Sequence, residues 1–231
     1  MTEPEDTGEF RTQKCYWTDP YCAELDATVL DVRGSLVTLD RTIIYPFSGG
    51  QEQDRGSINR YPVVNAFLRG KAVEYEIDPA HGLKPGEGVR VRIDWDRRYR
   101  LMRLHFAAEI VLELVNQRHG RPEKIGAHIG EEKARLDFRW EGSIARIFPD
   151  VTGELKRIVE SNTPIHSRFE NEEKEVRFWE VPGFGKVRCG GTHPRNTSEV
   201  GAVAFRRDNI GKGKERIEIR LEAGESASAR R

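Results

Sequence analysis

Residues 94–120, "DWDRRYRLMRLHFAAEIVLELVNQRHG", form a long run in which apolar side chains return every three to four positions. That period belongs to an α-helix and not to a strand. Asp94 or Asp96 can cap its start, and Gly120 can close its last turn. At about 100° per residue, Leu104, Ala108, Val111 and Val115 make one apolar stripe, and His105 and Glu109 fall together on its edge. An imidazole and a carboxylate one helical turn apart are half of a metal site; the plainer reading is a core-edge histidine beside a solvated glutamate.

On the N-terminal side of this helix the period shortens to two. "ATVLDVRG", "SLVTLDRTIIYP", "GSINRYPVVNAFLRG" and "KAVEYEID" alternate apolar and polar residues between Gly, Pro and Asp, and "VRVRIDW" adds one more such segment. A small β-barrel or sandwich over residues 12–93 is expected. On the C-terminal side, strand-bearing segments "GAHIGEEKARLDFRW" and "EVRFWEVPGFGKVRCGG" flank a second helix in "GSIARIFPDVTGELKRIVESN". "AVAFRRDNIGKGKERIEIRLEAG" then reads as a closing hairpin. Mixed rather than alternating elements favour an α+β domain over 94–223. The polar residues 1–11 and the small, polar residues 224–231 are expected to be disordered ends.

Lysines and arginines total 38 and aspartates and glutamates also 38, so no global basic field drives indiscriminate binding to nucleic acid. Any RNA contact must come from local patches. Cys15, Cys22 and Cys189 are odd in number and scattered, which suits a reducing, cytoplasmic setting. No run reaches the 18 or so apolar residues of a membrane span, and the acidic N-terminus lacks the apolar core of a signal peptide.

"CGGTH", residues 189–193, places a thiol and an imidazole four residues apart in a segment too glycine-rich for a stable helix. Two glycines let the backbone curl so that both side chains converge on one ion, and thiolate with imidazole suits zinc. The plainer reading is a buried cysteine beside a turn and a surface histidine.

Taken together, "CGGTH", the following "NTSEVG" and "GKGKERIEIRL", the His-bearing helix and the upstream "IIYPFSGGQEQDRGSI" resemble the alanyl-tRNA editing proteins of the AlaX type. These are free-standing relatives of the editing domain of alanyl-tRNA synthetase. The resemblance runs from about Tyr16 to Leu221. It implies an N-terminal β-barrel-like domain carrying a Gly-rich loop, then an α+β editing domain of the threonyl/alanyl-tRNA synthetase second-additional-domain type with one zinc ion in its cleft. The implied activity is ATP-independent hydrolysis of serine or glycine wrongly esterified to tRNA(Ala), in the service of translation fidelity. The length leaves no room for an adenylate-forming module beside these domains, so a synthetase is not expected.

One departure stands out, because the family has a second histidine where this chain has Glu109. Three readings follow. His105, Glu109, Cys189 and His193 together hold the metal; or His105, Cys189 and His193 hold it with Glu109 as a base beside it; or the site is lost. Besides Glu109, the resemblance suggests Thr192 and Gln51 for catalysis, Thr192 as an oxyanion donor or simply a turn-stabilising hydroxyl. Ser48, Gly49, Gly50, Gln51 and Asp54 make up the substrate loop, where Gln51 and Asp54 hydrogen-bond the substrate or lock the loop. Glu131 is a substrate contact or a solvated charge. Arg207, Lys212, Lys214 and Arg216 are the first candidates for tRNA phosphates, and Arg97, Arg98, Arg100 and Arg103 form a second basic cluster. Two other functions compete: a tRNA-binding module with a degraded site, and a metal-dependent hydrolase of small esters or amides.

Overall fold

The computed structural model describes residues 10–222; of the ends expected to be disordered, 1–9 and 224–231 lie outside the described residues, while Phe10 and Arg11 are exposed and without regular structure. The chain divides into two compact units between Tyr99 and Arg100. Mixed α and β structure dominated by strands is what the described residues adopt.

In the first unit the alternating segments become β1 (Gln13–Lys14), β2 (Glu24–Arg33), β3 (Leu36–Leu39), β4 (Arg41–Thr42), β5 (Gly56–Ile58), β6 (Tyr61–Pro62), β7 (Asn65–Arg69), β8 (Ala72–Glu76) and β9 (Gly88–Ile93). β1 and β4 pair in parallel, and the other strands join one curled sheet in the order β6-β5-β9-β2-β3-β8-β7. β2 carries both halves of it: Glu24–Thr28 pairs with β9, and Val29–Arg33 with β3, across an irregularity between Val29 and Asp31. A bulge of this kind bends a strand and strengthens its twist. The end strands β6 and β7 are separated along the chain only by Val63 and Val64.

The inner face buries Val29, Val37, Leu39, Ile58, Val73, Tyr75 and Val91. Each such aliphatic side chain contributes roughly 1.5–3 kcal/mol. The alternation fails in β8, where Glu74 is buried as well. Arg33 and Arg69 both pair with its carboxylate, which makes that burial tolerable.

The predicted helix is α1, Trp95–Arg118. Its first turn is tied into the first unit: Arg98 and Asp54 are both fully buried and form a two-pronged ion pair. Arg98 also donates to the carbonyls of Pro20 and Ile43. Arg97 reaches the carboxylate of Glu52 at 2.6 Å and the carbonyl of Gln53 at 3.2 Å.

In the second unit, β10 (Lys124–Ile129), β11 (Ala134–Arg139), β15 (Val203–Gly211) and β16 (Lys214–Leu221) form an antiparallel sheet in the order β10-β11-β16-β15. The closing hairpin is β15–β16, as the sequence pattern predicts. A second sheet contains β12 (His166–Asn171), β13 (Val176–Val181) and β14 (Gly185–Arg188) in that order. α2 (Phe148–Glu160) buries Val151 and Leu155, with proline in its first turn where no amide hydrogen is needed.

α1 buries far more than the expected stripe, adding Leu101, Phe106, Ala107, Ile110 and Leu114 to it. Its core is shared with Leu136 and Phe138 of β11, Ile217 and Ile219 of β16, Trp179 of β13 and Leu155 of α2. A helix built into a core with so many elements is apolar over most of its circumference.

Candidate metal centre

β14 ends at Arg188, and the chain then runs without regular structure through Cys189–His193. The Cys189 N–H donates to the Arg177 carbonyl at 3.0 Å, and the Arg177 guanidinium donates back to the Gly191 carbonyl at 3.3 Å. Beyond His193 the chain is stitched to residues 163–165: Ile165 N–H donates to Arg195 O at 2.8 Å and Thr197 N–H to Thr163 O at 2.9 Å. A short 3-10 turn, Thr197–Val200, follows, closed by a reciprocal capping box between Asn196 and Glu199. The curl between these anchors buries Thr192 and His193.

This brings the two half-sites together. Cys189 Sγ lies 3.4 Å from His105 Nε2 and 3.3 Å from His193 Nε2, and the three donor atoms are all within 4.8 Å of one another. Zinc bonds of about 2.0–2.3 Å set tetrahedral edges of about 3.3–3.8 Å, so these two separations, which are also those of sulfur–nitrogen hydrogen bonds, would suit ligands around a common ion. The donor set itself, one thiol and two imidazoles, is of the type zinc takes.

Glu109 stands beside this group and outside it. Its Oε1 is 3.5 Å from His105 Nε2, while Oε2 accepts the indole N–H of the fully buried Trp179 at 2.8 Å. His193 turns its other nitrogen, Nδ1, to Ser167 Oγ at 2.9 Å. Phe106 packs against both His193 and Trp179, with ring centroids 5.4 Å and 5.3 Å away, and gives the site an apolar wall.

The electrostatics are uneven. Burial alone would push His105 down, but the charge and hydrogen bond of Cys189, then those of Glu109, hold it up to about 10. Burial raises the Glu109 carboxyl, yet His105, Trp179 and Lys124 outweigh it and hold it below the usual range. His193 is pushed well down by burial and by the nearby positive charges of His105 and Arg177. To serve as a ligand a protonated His105 would have to give up its proton, whereas a neutral His193 would not.

In the first unit, Gly49 and Gly50 adopt φ of +58° and +85°, which Gly tolerates without strain, in a tight turn where Ser48 and Gln51 exchange backbone hydrogen bonds. Gln51 is buried, and the Asp54 carboxylate is engaged by Arg98 and by the Tyr45 N–H. Of the basic candidates, Arg207 pairs with Glu215, and Arg216 with Asp137 and Asp208. Lys212 is exposed at the hairpin tip and Lys214 is half-buried. Arg103 donates to the Val200 carbonyl, and Arg100 to that of Glu131.

Three residues around the centre are missing from the sequence reading: Ser167, Arg177 and Trp179. The first lies in "HSRFEN", too polar to announce a strand. The other two share the inward face of β13 with Val181, and an arginine in that register was the available signal.

The family described as the threonyl and alanyl tRNA synthetase second additional domain matches residues 176–218, which include "CGGTH". The chain is 30% identical over 215 residues to the alanyl-tRNA editing protein AlaX-M of Pyrococcus horikoshii, covering 91% of this chain and 98% of that protein. With AlaX-M of Methanosarcina acetivorans the identity is 33% over 243 residues, covering 91% and 99%. An alanine–tRNA ligase of Staphylothermus marinus is 32% identical over 222 residues, which is 83% of this chain but 24% of the ligase. Similarity that spans nearly the whole of the free-standing proteins, over a fold that assembles both halves of the donor set, leads to one assignment: the chain belongs to the AlaX family of alanyl-tRNA editing proteins.

Proposed function

We propose that this protein is a cytoplasmic trans-editing hydrolase that removes serine or glycine wrongly esterified to tRNA(Ala), with one zinc ion held by His105, Cys189 and His193. The observation that carries the proposal is the convergence of these three donors beside a carboxylate that is outside their set. It favours the second of the three readings of Glu109. A three-ligand set with an open position is how catalytic zinc sites are commonly built.

When bound, zinc would supply Lewis-acid polarisation of the ester carbonyl. The Trp179 indole fixes one oxygen of Glu109, so Oε1 is the atom that takes a proton from the attacking water. Thr192, in the curl beside His193, offers a donor to the developing oxyanion. The proton passes on to the departing ribose oxygen, giving a free amino acid and an intact tRNA. Phe106 and Trp179 limit the access of other water.

For tRNA, the exposed Lys212 and its neighbour Lys214 are the phosphate contacts best supported, since Arg207 and Arg216 are already paired within the sheet. In the first unit Gly49 and Gly50 offer backbone groups to the RNA, at the tip of a turn that Ser48 and Gln51 close through their own backbone groups and that Asp54 serves to lock. A barrel-like domain over 12–93 and an editing domain over 94–223 belong to the same proposal. The two-residue join between the sheet's end strands supports the first of these.

The test is release of serine from Ser-tRNA(Ala) alongside zinc analysis of the purified protein. Turnover unchanged in both Cys189→Ala and His193→Ala would refute the mechanism. Glu109 in place of the family's second histidine favours a second reading, a tRNA-binding module with a weakened site. Tight tRNA binding with neither zinc nor hydrolysis would select it.

A further inference from the structure

We infer that Ser167 is a positioning residue that sets the tautomer and ring orientation of His193, and through it the geometry of the donor set. The inference rests on the metal reading above. Nothing in the "CGGTH" motif points to this serine, which lies 26 positions upstream on a strand of its own.

The His193 ring is engaged through both of its nitrogens. His193 Nε2 faces Cys189 Sγ at 3.3 Å, and Nδ1 faces Ser167 Oγ at 2.9 Å. A neutral imidazole carries its proton on one nitrogen and its lone pair on the other, and the partner of the protonated nitrogen decides which is which. A serine oxygen can accept the Nδ1 proton. Nε2 is then the bare nitrogen, and it is the one turned toward Cys189 and His105. With the tautomer reversed, the proton would sit among the donors and block the site.

The placement of Ser167 is built in at both ends of the contact. Ser167 pairs across the ladder with Trp179, whose indole holds Glu109, so one rung of the sheet carries a contact to each side of the centre. Just before β12, Pro164 bridges Asn196, and Ile165 and Thr163 bond to residues 195 and 197. The strand that carries the hydroxyl and the loop that carries the imidazole are therefore held in mutual register by backbone bonds, joined by the Thr163 N–H to Thr197 Oγ1 bond at 3.0 Å. Two further rings stand beside the His193 ring, His105 edge-on with centroids 5.2 Å apart and Phe106 tilted at 5.4 Å.

Outer partners of metal-bound histidines typically govern about 10–100-fold in metal affinity. The experiment measures zinc affinity by competition with a chelator, the visible absorption of the cobalt(II) form, and the protonation site of the His193 ring by long-range proton–nitrogen NMR of the zinc form. Wild type is compared with Ser167→Ala, Ser167→Thr and Ser167→Val. Threonine keeps the hydroxyl and valine matches its volume without it, so a difference between these two reports the hydroxyl and not packing. Thermal unfolding of the metal-free variants checks that each folds.

The expected result is a zinc affinity lowered about 10–100-fold in the alanine and valine variants, with an altered cobalt spectrum and recovery in the threonine variant. In wild type the ring is protonated at Nδ1. Wild-type affinity and spectrum in both Ser167→Ala and Ser167→Val would overturn the inference and leave the metal reading standing. So would loss of hydrolysis in Ser167→Ala with zinc affinity and cobalt spectrum intact, which would give the hydroxyl a role in hydrolysis separate from the donor set. Failure of the wild type to bind zinc or cobalt would overturn both.

Discussion

Two of the places where the molecule buries polar side chains are built on opposite plans. In the first unit Arg98 and Asp54, both fully buried, are opposite charges that satisfy each other. The remaining donors and acceptors go to Pro20, Ile43 and Tyr45. In the second unit His105, Cys189 and His193 are brought together although each is a lone-pair donor. Only a proton or a cation can reconcile them. Burial of polar groups is common to both, so burial does not mark a site; the kind of partner still required does. The first cluster is complete and acts as a lock between the Gly-rich segment and the start of α1, while the second is a set of donors that a shared proton or a metal ion could join.

That contrast can be broken from either side. Removing one partner of the lock leaves an uncompensated buried charge, so Arg98→Met or Asp54→Ala should cost about 3–5 kcal/mol, seen as early unfolding that zinc does not repair. A loss near 1 kcal/mol would mean that water reaches the pair. In the second unit, Cys189→Ala should leave the metal-free protein close to wild type in unfolding while abolishing zinc binding. Its deacylation should fall by at least about 100-fold, or roughly 2.7 kcal/mol of barrier. An equal collapse in stability would make the cluster another lock.

Smaller effects sharpen the picture at the sheet. Charge reversal at Lys212 and Lys214 should weaken tRNA binding several-fold and reduce the slope of log affinity against log salt by about 1–2. An unchanged slope would remove the hairpin tip from the RNA interface. The mildest effect concerns Glu215, a buried carboxylate that Arg207 and the Ile144 N–H hold below its usual pKa. A depressed carboxylate stabilises above its unfolded value and loses that contribution as pH falls through the folded one. Glu215→Gln should therefore lower the melting temperature modestly at pH 7, where the contribution is fully present, and approach wild type as pH falls below about 4.5, which flattens the acid slope; an undiminished acid slope would count against the pair.

How much of this was legible depended on whether the relevant contact is local in sequence. α1, the closing hairpin and the curl at Cys189–His193 follow from periodicity and glycine placement over a few residues. The two halves of the metal centre were each legible too, because i,i+4 spacing is a local property. β12 was hidden, since "HSRFEN" carries the polar residues of an edge strand and little apolar alternation. Arg97 and Arg98, grouped in sequence with the basic candidates, are buried in pairs with Glu52 and Asp54 more than 40 positions away. A charge run looks solvated until its distant partners are known. The wide apolar face of α1 was likewise underestimated because its extent is set by how many elements pack on it.

The stitching of residues 163–165 to 195–197 has a consequence for how this chain can vary. Substitutions at the exposed positions of these segments leave the backbone bridge in place, whereas a single-residue insertion shifts one segment along the other. One step of extended chain is about 3.3 Å, longer than a zinc bond of about 2 Å. Between Ile165 and Ser167, or between His193 and Arg195, the chain should thus accept changes of residue and refuse changes of length. A library of insertions scored for zinc retention would show two short intolerant windows there, one at the start of β12 and one just after the curl that ends at His193.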